Sequence, residues 1–150
     1  MNSFQVQEII GRLEAAFPDP PVKGETRALY DRMLRDLEYD EVDPAVDELI
    51  ATMMKLPTVS RVRRFVIEPK LDIPTAEEAW LAVQSRGELH ELVKRAVNLL
   101  GGTFNIRTSG DPELTRVRFA KVYDELRRKE VDQQLAAGIR AQRMKLSTAS

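Results

Sequence analysis

The chain has 150 residues, 43% of them hydrophobic, 31% charged and 6% aromatic, the balance of a soluble globular protein rather than a disordered, fibrous or membrane-spanning one. Twenty-three Lys and Arg stand against 24 Asp and Glu, so a net charge of -1 supplies no global field toward phosphate, and any DNA contact has to be local. The absence of cysteine excludes disulfides, thiolate metal sites and cysteine nucleophiles and suits a reducing cytoplasm.

The opening MNSFQVQEII lacks a basic segment followed by a long apolar run, and no run of about 18 apolar residues occurs, which predicts a soluble, cytoplasmic protein with no membrane partner. Ser3 is placed to cap a first helix whose Val6, Ile9, Ile10, Leu13, Ala16 and Phe17 form one apolar stripe. Pro18, Pro20 and Pro21 stop it. A second helix, Glu25 to Leu37, sets Leu29, Tyr30, Met33, Leu34 and Leu37 on one face. The third reads as starting with Asp43 as cap and Pro44 at the first helical position, with Val46, Leu49, Ile50 and Met53 inward. After the turn Lys55-Leu56-Pro57, Thr58 caps a fourth helix carrying Val59, Val62, Phe65 and Val66.

Residues 1–68 are thus expected to form a small four-helix domain, and 69–74 a linker. Beyond it, Thr75 and Glu78 make a capping box for a fifth helix with Ala79, Trp80, Ala82 and Val83. A sixth runs from Glu88 to Leu100, ended by Gly101-Gly102. The segment TFNIRTSG reads as a loop, its FNIR being the one strand-like run. Asp111-Pro112 then starts a helix reaching Lys145, whose roughly 34 residues would span about 50 Å and overhang the body. The predicted class is all-α, a small helical bundle followed by a second module, 75–150, with a projecting basic C-terminal helix.

Charge is unevenly placed. Seven acids and no base lie between Asp36 and Glu48, whereas Arg127, Arg128, Lys129, Arg140, Arg143 and Lys145 outnumber Glu130 and Asp132 at the other end. Complementing helix dipoles is one account of both runs, and two oppositely charged partners is the other.

Most catalytic chemistry lacks its residues. There is no Gly-Lys-Ser/Thr phosphate loop and no G-x-S-x-G elbow, and the one histidine, His90, cannot supply a two-His metal site. Paired acids such as Glu77-Glu78 sit in polar surroundings that would not split their pKa values. No enzyme activity, metal or cofactor is expected. Trp80 suits core packing, with an interface anchor as the alternative. The third helix, its turn and the fourth have helix-turn-helix length, with Arg61, Arg63 and Arg64 where a major-groove reader carries its contacts; an ordinary helical corner fits the same pattern.

Glu8-Ile9-Ile10, Leu13, Phe17-Pro18, Tyr30, Leu34, Asp36, Tyr39, Ala45 and the run Leu56-Pro57-Thr58-Val59 to Arg63 occur in an order that resembles the N-terminal domain of phage-encoded loaders and inhibitors of the replicative helicase. The likeness covers about the first 66 residues, and PTAEEAWLAV, Gly101-Gly102 and Arg116 to Tyr123 look like the continuation in related phage replication proteins. It departs from the family at Arg61 and Val62, where an acid and a longer aliphatic residue are usual, and in the helical rather than disordered end. The resemblance implies a non-enzymatic adaptor in the bacterial host cytoplasm. Such a protein binds the hexameric ring helicase, holds it inactive and hands it to an origin-bound initiator.

The stretch expected to meet that partner is the basic end of the last helix, where Val131, Leu135 and Ile139 recur every four residues and are followed by Met144, while Arg140, Arg143 and Lys145 supply charge. Self-association through the same helix is the competing use. A DNA-binding regulator built on Arg61, Arg63 and Arg64 is the alternative from another class, although weak or absent DNA contact is expected.

Overall fold

The computed structural model describes residues 1–85 and 87–148. Among them are eight α-helices and no strand: α1 (Ser3–Ala16), α2 (Gly24–Leu34), α3 (Tyr39–Thr52), α4 (Val59–Ile67), α5 (Ala76–Gln84), α6 (Glu91–Leu99), α7 (Thr103–Arg107) and α8 (Pro112–Thr148), with a 3-10 turn at Glu68–Lys70 after α4. The protein is all-α, and its last helix is the long one, 37 residues. Two compact units divide it, Met1–Lys70 together with the end of α8 from Ile139, and Leu71–Gly138.

In the first unit Val6, Ile9, Ile10 and Leu13 of α1 meet Tyr30 and Leu34 of α2, Val42, Val46 and Leu49 of α3, and Val62 and Val66 of α4 in one buried cluster. Each helix contributes an i, i+3, i+4 stripe, so burial of apolar area is what holds the four together. Leu29, expected inward, lies exposed. Asn2 rather than Ser3 caps α1, in a reciprocal box with Gln5. Thr58 caps α4 by accepting from the Arg61 amide.

The start of α3 is a correction. The helix begins at Tyr39, because Glu38 accepts from the amides of Glu41 and Val42, and Tyr39 packs on the core while its hydroxyl donates to Glu8. Pro44 is therefore inside the helix. Its missing N–H forfeits the bond that the Asp40 carbonyl would accept one turn back.

In the second unit Ile73, Ala79, Val83, Leu92, Val93, Ala96, Val97, Ile106, Phe119, Tyr123 and Val131 form the core. The segment expected as a linker belongs to it from Leu71 on: Ile73 is buried, and the Pro74 carbonyl accepts from Tyr123 Oη at 2.6 Å and Arg127 Nε at 3.1 Å. The box of Thr75 and Glu78 starts α5, and Trp80 lies half-buried with its ring 5.5 Å from that of Phe119. The run TFNIR is helix α7, not a loop, because Gly101 and Gly102 turn the chain at φ 89° and 98° and Ile106 then reaches the core. His90 lies just before α6, where its Nδ1 accepts from the Leu92 amide, so the sixth helix starts later than its apolar pattern.

Candidate functional site

Arg63 is 5% exposed. It is the fifth residue after the Thr58 cap, and α4 turns it inward beside Val62 and Val66 onto the end of α2. There Nη1 donates to the Met33 carbonyl at 2.5 Å, and the guanidinium grips Asp36 with two bonds of 2.6 and 2.9 Å. A fork matched to a carboxylate also satisfies a carbonyl that α2 leaves open at its C-terminus.

Arg63 is thereby withdrawn from any DNA-reading role, which corrects the expectation for it. Arg64 stands 3.9 Å from Glu68 one turn on, and Arg61, alone of the three, lies exposed with no ion pair among the described residues. The trio does not make one free cationic face, so it would not supply the three phosphate contacts of a groove reader.

The acidic run is absorbed in part. Asp36 holds Arg63, Glu41 holds Lys70 at 2.7 Å, and Asp43 and Asp47 share Arg12 at 2.6 and 2.8 Å. Glu38, Asp40 and Glu48 remain exposed on or beside α3 with no ion pair among the described residues. The exposed pairs of Glu41, Asp43 and Asp47 each contribute little stability, and the three bases Arg63, Lys70 and Arg12 offset three of the seven negative charges of the run.

The stripe of α8 is divided. Val131 is 0% exposed in the second core and Leu135 is half-buried against it. Val131 is therefore a core residue and not a partner-binding one, which corrects the expectation for it. Phe119, Tyr123, Val131 and Leu135 continue one i+4 series, with Arg127 in the step between bonding Pro74, so packing of the helix reaches further along than an overhanging tail allows.

Beyond Leu135, Ile139 is half-buried, Arg140, Arg143 and Lys145 are exposed, and Met144 is 70% exposed. Met144 follows Ile139 by five residues and so lies about 140° around the helix from it. The residue that continues the stripe is Leu146, seven positions after Ile139 and 67% exposed, which the sequence reading cut off by ending the helix at Lys145. The signal was there in the 135, 139, 146 spacing. From Gln133 to Thr148 the helix carries no acid, so its exposed end is cationic with apolar side chains on more than one face.

Other large apolar side chains stand in solvent, Phe4, Leu29 and Met54 in the first unit and Leu81, Leu99, Phe104, Leu114 and Val117 in the second. Among the described residues no group of three or more His, Asp and Glu is arranged to hold a metal ion, and no helix is long and apolar enough to cross a membrane. The perturbed titrations are structural. Burial pushes the Tyr123 phenol up to about 12 and raises that of Tyr30, and the bond to Glu8 raises that of Tyr39. Comparison of the chain with models of known families, with curated proteins and with solved structures finds no match.

Proposed function

We propose that this protein is a non-enzymatic adaptor of phage DNA replication that binds the replicative ring helicase, inhibits it and loads it, through protein contact alone. One observation carries the reading: the residues on which the resemblance rests contact one another. Tyr30 Oη donates to the Pro57 carbonyl at 2.5 Å, Asp36 pairs with Arg63, Tyr39 bonds Glu8, and Ile9, Ile10, Leu13 and Leu34 share the core beneath them. A set of short motifs that closes on itself is the framework of one domain, which is what a family signature in this region should be.

The partner contact then falls on residues outside that framework. The exposed end of α8, with Arg140, Arg143, Met144, Lys145 and Leu146, is cationic and presents apolar side chains to solvent, the character of a helix that an acidic partner surface could enclose. The helix-turn-helix reading loses its support with Arg63, whose guanidinium is committed to Asp36 and Met33.

The test is sedimentation of the full chain with a purified hexameric replicative helicase from a Gram-positive bacterium, with the helicase's ATP-driven unwinding measured alongside. Co-sedimentation with suppressed unwinding is expected. Absence of a complex at tens of micromolar, together with sub-micromolar retention of duplex DNA, overturns the proposal in favour of the regulator. Met144→Asp with Leu146→Asp is expected to weaken the complex at least tenfold with unchanged circular dichroism.

A further inference from the structure

We draw no further inference here: the strongest candidate, the exposed apolar side chains Leu99, Phe104, Leu114 and Val117 at the end of α6, on α7 and on the first turns of α8, carries nothing because nothing in the structure shows what covers them.

Discussion

Replacing Arg63 by alanine separates a structural arginine from a DNA-reading one. The substitution removes two bonds to Asp36 and one to the Met33 carbonyl. Breaking a buried pair from one side costs about 3 to 5 kcal/mol, because the remaining charge stays desolvated. Asp36 keeps 21% of its side-chain surface and can rehydrate in part, so the lower end, about 3 kcal/mol, is expected. A domain of about 70 residues has roughly 4 to 10 kcal/mol in total. The loss is therefore a large fraction of the first unit's stability.

Urea unfolding of the full chain followed by far-ultraviolet circular dichroism measures it. With a slope near 1 kcal/mol per molar for so small a unit, the transition of the first unit should move down by about 3 M. The single tryptophan, Trp80, lies in the second unit, so its fluorescence identifies which transition has moved. Asp36→Ala in the Arg63→Ala background should cost much less than Asp36→Ala alone, the non-additivity of two groups in one contact. An Arg63→Ala midpoint within about 0.5 M of the parent, with duplex DNA affinity reduced, would refute this account of Arg63.

Leu34→Ala empties a fully buried site in the first core and should cost about 2 to 5 kcal/mol, so that the circular dichroism of residues 1–70 melts near or below room temperature; an unchanged melt would show that the first core does not depend on this side chain. Tyr123→Phe deletes the bond to Pro74, whose carbonyl keeps Arg127 as donor, and a loss of about 1 kcal/mol on denaturant titration is expected rather than collapse of the second unit. All three tyrosines are held above their ordinary value near 10, and Tyr123 ionises only at about 12. Their folded-state pKa is raised, so the stabilisation from the neutral phenols is complete below pH 10 and is lost as the pH climbs through about 12; absorbance at 295 nm should show well under half the tyrosinate at pH 10, and full ionisation there would contradict the burial. Gly102→Ala puts a side chain at φ 98°, ψ 166°, a region open essentially to glycine, and should lower stability by about 1 to 3 kcal/mol.

The helical class and the apolar stripes were legible because periodicity is a local property that packing then enforces. Val6, Ile9, Ile10 and Leu13 could be assigned to a core before any partner was known. So could the caps Thr58 and Thr75, since a hydroxyl three residues before a free amide needs no tertiary context. What failed was whatever a distant residue decides. Pro44 reads as a helix start until Tyr39 finds Glu8, 31 residues away, and makes the preceding turn worth forming. FNIR reads as a loop until Ile106 is needed by a core assembled from α5, α6 and α8.

The candidate site was harder to read for the same reason. A charge in a sequence has a sign but no partner, and Arg61, Arg63 and Arg64 look alike until the fold assigns them to solvent, to Asp36 and to the side of Glu68. The residues on which the proposed adaptor role rests are those whose identity the fold constrains across long separations, such as Tyr30 to Pro57 and Arg63 to Asp36, both 27 residues apart. A surface that meets another protein is constrained from outside the chain, so it leaves no such internal pairing. Within the chain it appears only as apolar and charged side chains without partners, and Met144 and Leu146 among the bases of α8 have that character. Substitutions in the framework should therefore change stability first and binding only through it. Substitutions at the end of α8 should change binding and leave both units folded, and that dissociation of effects is how a framework residue and a contact residue are told apart.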